Sequence, residues 1–466
     1  MRPVITPAES ARLDAESETP VYALMGRAGL AVAIAAGRMG AGYGTRVIVL
    51  AGPGNNGGDG YAAAKILRHR GIDASVHCLG YPKRDSGPNR RHAIAAAKAG
   101  VSMEPLGDPE PCDLIVDALF GAGFHGSLPD NVIPWTEHEA PVLAVDLPSG
   151  LDGADGTTEG PAFSAERTVT FQALKTGHLV GRGPELSGDV EVADIGMGEP
   201  RAEWSLFEDS DAVVPARPRD AHKWSSGSVA VAGGSPGLLG AAVIAARASL
   251  EFGAGAVRLL VPETLQAQAA AMDPGLLTGT SGDDAPDAET VLAAADRFDV
   301  MALGPGLGAG AEGLVDSILR EWDRPLVLDA DGINAATVDA LSDRTEPTVI
   351  TPHAGEFRRL AGADPTPAAA ADLSAKTGAV VLLKGSPTFV MGDERWVITS
   401  GGQELATIGT GDVLTGMIAA LIARGMDAEP AARAAAHLHG RAGAGLAALT
   451  SVTATSLLAE IGRYAW

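Results

Sequence analysis

Two stretches of this chain set closely spaced glycines and an acid at the point where an apolar run gives way to a helical one. The first is Ala51-Gly52-Pro53-Gly54-Asn55-Asn56-Gly57-Gly58-Asp59-Gly60, between Val47-Ile48-Val49-Leu50 and Tyr61-Ala62-Ala63-Ala64-Lys65-Ile66-Leu67. Strand, glycine loop and helix in that order suit anion binding. Glycine lets the main chain approach a ligand closely, and a helix's first turn offers unpaired N–H groups at the positive end of its dipole. A tight turn needs only one or two glycines, and this loop has five, so ligand binding is the favoured reading. The second stretch is Ala406-Thr407-Ile408-Gly409-Thr410-Gly411-Asp412-Val413-Leu414-Thr415-Gly416. Here a helix N-terminus could hold a transferring phosphoryl group while Asp412 accepts the proton of an attacking hydroxyl. Asp is also a favoured N-cap, but the Gly-Thr-Gly before it tips the reading toward catalysis.

Further acids end other apolar runs. Asp117 opens Ala118-Leu119-Phe120-Gly121-Ala122-Gly123-Phe124-His125-Gly126-Ser127, and Asp146 opens Leu147-Pro148-Ser149-Gly150-Leu151-Asp152. One such Asp is as often a turn former as a functional group, whereas three adjacent strand ends converge on one crevice. In the second half, Leu303-Gly304-Pro305-Gly306-Leu307-Gly308, Leu328-Asp329-Ala330-Asp331-Gly332, Thr351-Pro352-His353-Ala354-Gly355-Glu356 and Lys384-Gly385-Ser386-Pro387-Thr388 all follow strand-like runs. His437 and His439, two apart, point to different faces of a helix and are rejected as a metal pair. Gly233 to Gly240 lacks the terminal Gly-Lys-Ser/Thr of a P-loop.

These loops need elements to hold them. Val47 to Leu50, Leu114 to Val116 and Val142 to Val145 alternate with Ala-rich helical stretches, the rhythm of a parallel α/β sheet. The rhythm resumes at Val229 to Val231, Val257 to Leu260, Val300 to Leu303, Leu326 to Leu328, Thr348 to Ile350 and Val380 to Leu383. Between the two series, 198–220 loses periodicity and collects Pro200, Pro215 and Pro218, so two domains are expected, 1–212 and 213–466. The chain's 466 residues suffice for two cores. Glycine is abundant, at 60 residues, and a formal charge of -23 disfavours contact with nucleic acid or an anionic membrane. The longest smooth apolar stretch, Val413 to Ala423, is shorter than a bilayer requires. Cys78 and Cys112 suggest neither a disulfide framework nor a zinc cluster, and no signal-peptide core follows the N-terminus, so a cytoplasmic location is expected.

The Gly52 to Gly60 loop, with the Asp117 to Ser127 and Asp146 to Asp152 segments, resembles the NAD(P)H-hydrate epimerase family, and the likeness takes in Leu24-Met25-Gly26-Arg27-Ala28-Gly29. It implies that Asn55 to Asp59 and Gly121 to Ser127 line a pocket for the hydrated cofactor. It also implies that Asn56, Asp117 and Ser149 bind a potassium ion, an oxygen-rich set that suits a hard cation. Asp146 is then the carboxylate at the altered nicotinamide ring, moving a proton while C6 inverts, with Lys175 a second catalytic candidate.

The glycine-rich segments of the second half, together with Gly409 to Asp412, resemble the ribokinase-like superfamily, and Thr351 to Glu356 points to its NAD(P)H-hydrate dehydratase branch. By this likeness Lys384 to Thr388 and Gly411 bind the adenine nucleotide, ADP or ATP with magnesium. Ala241, Gly306, His353 and Asp412 face the hydrated cofactor, NADHX or NADPHX. The fold implied is α/β throughout, two three-layer αβα domains, the first Rossmann-like and the second ribokinase-like, in a possible homo-oligomer. Phosphorylating the C6 hydroxyl would turn hydroxide, a poor leaving group, into a phosphate that departs as the ring nitrogen pushes. The competing reading is a kinase of vitamin or sugar hydroxyls carrying a noncatalytic N-terminal binding module.

Overall fold

Runs such as Val47 to Leu50 are apolar at every position rather than at alternate ones, the pattern of strands covered on both faces. In the computed structural model, which describes residues 2–80, 87–217 and 219–465, these four residues are fully buried within the strand Arg46–Ala51. Every other run named above also lies in a strand, from Leu114–Ala118 to Val380–Leu383.

The chain divides into two compact units, Arg2–Trp204 and one beginning at Ser205. In the first, the sheet order is Ser102–Pro105, Asp73–Cys78, Arg46–Ala51, Leu114–Ala118, Val142–Val145, Arg167–Phe171, Asp189–Ala193, with all neighbours parallel. The order turns around at Arg46–Ala51, from which the chain goes first to one side and then, at Leu114–Ala118, to the other. That is where an open parallel sheet opens a crevice beyond its strand ends. In the second unit, parallel strands run in the order Leu277–Thr280, Ala256–Val261, Ser228–Ala232, Val300–Leu303, Leu326–Leu328, Thr348–Ile350, Val380–Leu383, and the antiparallel Thr388–Met391 and Arg395–Ile398 follow.

Two local features differ from expectation. The stretch 198–220 contains a strand, Trp204–Leu206, whose Ser205 and Leu206 pair with Trp396 and Val397. Three residues among charges carry no readable period. Pro218 lies outside the described residues. The helix Val21–Arg38 is longer than the smooth run 413–423, though broken by Arg27, and by length and composition alone it could cross a membrane. In the fold it buries Leu24, Met25, Ala28, Val32 and Ala36, and Gly29 lets it press onto the helix Asn55–His69, where a Cβ would come within 2.5 Å of the Ala62 side chain.

Candidate active sites

The first glycine loop is short: its helix starts at Asn55, with Gly54 as N-cap, not after Gly60. Helical spacing then sorts its residues. Asn56 and Asp59, at i and i+3, share a face that turns to a cavity of about 720 Å³, which Asn55 at the helix start also lines, while Gly57 and Gly58 are absent from its lining. These two glycines serve packing. A Cβ on Gly57 would sit 1.9 Å from the Gly52 carbonyl oxygen, and one on Gly58 would sit 2.7 Å from Met25 Sδ. The glycines thus bring the helix N-terminus against the strand ends, and the side chains between them face the ligand space. Gly121, Ala122, Gly123, Phe124, His125 and Ser127 also line the cavity. Gly126 does not, and its φ of 92° marks it as the turn of that segment.

Asp146 and Lys175 meet at the cavity wall. Asp146 stands just past its strand with φ 68°, unusual for a residue with a Cβ and a form of strain that gathers at functional sites. Its Oδ1 lies 2.9 Å from Lys175 Nζ and accepts from Thr170 Oγ1 at 2.9 Å, and its Oδ2 accepts from the Ala122 N–H at 2.8 Å. Lys175 is buried, and its ammonium also donates to the Phe171 carbonyl at 3.0 Å. Burial pushes the Asp146 carboxyl up, but the Lys175 charge and hydrogen bonds outweigh it and hold the group below the usual carboxylate range. His178, which sequence reasoning passed over, accepts from the Lys175 N–H through Nδ1 at 3.0 Å. Its Nε2 therefore carries the proton, donated to the Asp146 carbonyl at 2.8 Å. Burial and the neighbouring ammonium push it down to about 4, so this ring is neutral.

Next to Asn56 and Phe120 of the cavity lining, Asp117 and Ser149 form one cluster. Ser149 donates through N and Oγ, at 2.7 Å each, to the two oxygens of a fully buried Asp117, and its Oγ accepts from the Phe120 N–H at 3.0 Å. Asn56 Nδ2 donates to the Phe120 carbonyl at 2.8 Å. The three predicted ion ligands are therefore together. Burial pushes Asp117 up to about 6 against these hydrogen bonds.

In the second unit, Gly409 takes φ 90° and starts the helix Thr410–Ala423. A Cβ on Gly411 would lie 3.4 Å from Lys384 Nζ, so the ammonium sits beside the helix N-terminus, two positive features at one place. Lys384 is fixed by Asp329 at 2.8 Å. Asp329 is itself buried and clamped by Thr351 Oγ1 at 2.7 Å and Thr415 Oγ1 at 2.6 Å. Burial, and then the charge of Asp329, push Asp412 up to about 7, partly opposed by Lys384. Asp331 and Glu356 add to that field. The Lys384 N–H donates to the Pro352 carbonyl at 2.9 Å, drawing the His353 segment in, and Thr388 Oγ1 closes the 385–388 turn on the Gly385 carbonyl at 3.0 Å. Ser386-Pro387 is cis.

His353 is first of all a helix cap: its Nδ1 accepts from the Gly355 and Glu356 N–H groups at 2.9 and 3.2 Å. Gly306 and Ala241 converge on Leu238. A Cβ on Gly306 would fall 2.3 Å from the Leu238 carbonyl oxygen, and the Ala241 N–H donates to the same oxygen at 3.2 Å. The two rejected histidines have separate partners, His437 bonding Asp209 Oδ1 at 2.7 Å and His439 the Thr410 carbonyl at 2.9 Å. Sequence reasoning left Asp14, Thr170, His178, Asp329 and Glu356 without roles. Asp329 and Glu356 carried a signal, lying inside segments already singled out, and Thr170 lies five residues before the candidate Lys175.

Residues 21–177 match the family model for the YjeF-related protein N-terminus, and residues 229–463 match that for NAD(P)H-hydrate dehydratase. A bifunctional NAD(P)H-hydrate repair enzyme Nnr of Salinibacter ruber is 40% identical over 471 residues, covering 90% of this chain and 87% of its own. One of the same name from Moorella thermoacetica is 36% identical, covering 94% and 92%. Among solved structures, a ribokinase-like superfamily protein of Enterococcus faecalis aligns with a TM-score of 0.50 at 25% identity, over 56% of this chain and 95% of that one.

Proposed function

The chain belongs to the bifunctional NAD(P)H-hydrate repair enzymes, and on that membership we propose how its two sites divide the work. It is an epimerase and a dehydratase of hydrated nicotinamide cofactor, not a sugar or vitamin kinase with a passive N-terminal module. The first unit interconverts the R and S forms of NADHX and NADPHX. The second dehydrates the S form with an adenine nucleotide, ADP giving AMP and phosphate. The observation that carries this division is that each unit has its own acid with a lysine charge beside it, Asp146 with Lys175 and Asp412 with Lys384.

In the first cavity Asn55, Asn56 and the 121–127 segment hold the hydrated cofactor, and the ionised Asp146 accepts a proton at C6, with Lys175 and His178 fixing its position. The adjoining cluster fits a potassium ion. Asp117 is a buried carboxylate with hydrogen bonds but no cation paired to it among the described residues, and Asn56, Ser149 and the Phe120 carbonyl add oxygens. Such an ion supplies the countercharge that this loop junction lacks.

In the second unit the N–H groups at Gly411, with Lys384 and the 385–388 turn, hold the nucleotide phosphates, and His353, Gly306 and Ala241 face the hydrated ring. Asp412, poised near neutrality, takes the C6 hydroxyl proton as the phosphoryl group arrives. Asp331, Glu356 and Asp412 outnumber the one ammonium, so the donor set fits a magnesium ion brought with the nucleotide, which neutralises phosphate charge. The two free cysteines suit a reducing cytoplasm. The testing experiment gives the purified protein both hydrate epimers, with and without ADP or ATP, and follows each by chromatography. Epimer exchange without nucleotide and NAD(P)H formation only with it are expected; accumulation of a stable phosphate ester would defeat the reading.

A further inference from the structure

The cavity of the first unit contains a carboxyl group that the account so far has not used. Asp59 is 8% exposed, yet no hydrogen bond or ion pair among the described residues reaches its side chain, and what remains uncovered opens into the cavity shared with Asp146. A largely buried carboxyl that makes no hydrogen bond to the protein must be solvated from the cavity or stay neutral, so its retention calls for a reason. Its neighbours make ionisation harder still. The charged groups facing it are Asp146 from the turn after Val142–Val145, Asp14 from the helix Pro7–Glu16, and Lys175. That is two carboxylates against one ammonium, and the ammonium is already bound to Asp146. The other helices packed here, Val21–Arg38 and Pro88–Lys98, place the uncharged Met25 and Asn89 against adjacent Gly58. Burial, then the charges of Asp146 and Asp14, push the Asp59 carboxyl well above the usual carboxylate range.

We propose that Asp59 is the proton donor of epimerisation, working opposite the ionised Asp146 as one member of an acid–base pair. An inversion at C6 that passes through loss of hydroxide needs such a donor, because hydroxide leaves poorly unless protonated. Asp59 gives its proton to the C6 hydroxyl. The C–O bond breaks with its electron pair leaving on water, while the ring-nitrogen lone pair forms the N1=C6 double bond. Water then adds to the other face of C6, its oxygen lone pair forming the new C–O bond as the N1=C6 pair returns to nitrogen. The surplus proton passes to Asp146. Each turnover thus moves one proton from Asp59 to Asp146, and exchange with water in the cavity resets the pair. Like charges facing one cavity favour one protonated and one ionised member, and Lys175 decides that Asp146 is the ionised one.

This rests on the epimerase reading, and the test separates the two. With no nucleotide present, epimerisation of each isolated form is followed above the uncatalysed background in H2(18)O, from pH 5 to 9, for wild-type protein and for Asp59→Asn. Expected are one solvent oxygen taken up per inversion, a wild-type rate that falls on the alkaline side, and a kcat at least about 100-fold lower in Asp59→Asn with KM within about threefold. An Asp59→Asn kcat within threefold of wild type, or product keeping its original oxygen, overturns the proposal. Should Asp59→Asn fail to fold, the wild-type profile decides, and a rate flat to pH 9 overturns it. Wild-type protein inactive on both epimers would instead remove the epimerase reading itself.

Discussion

Lys175 Nζ lies 2.9 Å from Asp146 Oδ1 with the lysine side chain only 2% exposed, so the ammonium has no alternative partner in water. Breaking one side of a buried pair strands the other, at about 3–5 kcal/mol. Lys175→Met is therefore expected to destabilise the first unit by that order and to abolish epimerisation. The double variant Asp146→Asn/Lys175→Met should recover most of the stability and none of the activity. Urea unfolding of the four proteins of the cycle checks this. The Asp146 carboxyl is depressed in the folded state, so its contribution is present above the ordinary carboxylate range and lost as pH falls through and below it. The stability gap between wild type and Lys175→Met should narrow accordingly in acid.

The two activities should separate by mutation and by pH. Asp412→Asn is expected to lower dehydration by about 10²- to 10⁴-fold and leave epimerisation intact, with Asp146→Ala doing the reverse. Because Asp412 is pushed up to about 7, its base form is scarce below that pH. The kcat/KM for dehydration should rise about tenfold per pH unit up to about 7 and level off above it. Asp329→Asn removes one of the charges that raise Asp412 and frees Lys384 to lower it, so the acid limb should shift to lower pH. Initial rates of NADH formation across pH 5 to 9 measure all three; an unmoved limb in Asp329→Asn would show that the Asp329 field does not reach Asp412.

Two glycines of similar appearance in sequence should respond in opposite ways. Gly57→Ala sets a Cβ 1.9 Å from a backbone oxygen that has no freedom to move, and overpacking of this kind costs about 1–3 kcal/mol or more. Gly411→Ala meets only Lys384 Nζ, at 3.4 Å. It should leave the unfolding midpoint of the second unit unchanged or slightly raised, while a several-fold higher KM for nucleotide reports the crowded ammonium. Thermal unfolding with nucleotide-dependent kinetics tells the two apart.

The contrast shows what the sequence could and could not reveal. Strands were legible because burial on both faces leaves continuous apolar runs, as at Val300–Leu303 and Val380–Leu383. The glycine loops were legible as places of close approach, but not what approaches: at Gly57 it is the protein's own backbone, and the ligand-facing positions follow only once the helix is known to start at Asn55. Asp14 and His178 carry no local pattern, since tertiary folding alone brings Asp14 to the cavity and gives His178 its contact with the Asp146 carbonyl. The strand Trp204–Leu206 was hidden for the same reason, its pairing partner lying nearly two hundred residues away in sequence.

The remaining prediction concerns potassium. Asp117 is fully buried, and its neighbours Ser149 and Leu119 supply hydrogen-bond donors but no charge. Asn56 spends its amide N–H on the Phe120 carbonyl, leaving its oxygen for another partner. A monovalent cation held there binds the folded state alone, and such a ligand at 100 times its Kd adds about 2.7 kcal/mol of stability. Potassium chloride should therefore raise the unfolding temperature of the first unit above that in choline chloride of equal ionic strength, and Asp117→Asn should erase the difference. Choline is too large for a site made from one loop junction, and nonspecific screening acts equally in both salts. Equal midpoints in the two salts would mean that hydrogen bonds alone carry the buried carboxylate, and the ion would have to be dropped from the account of the site.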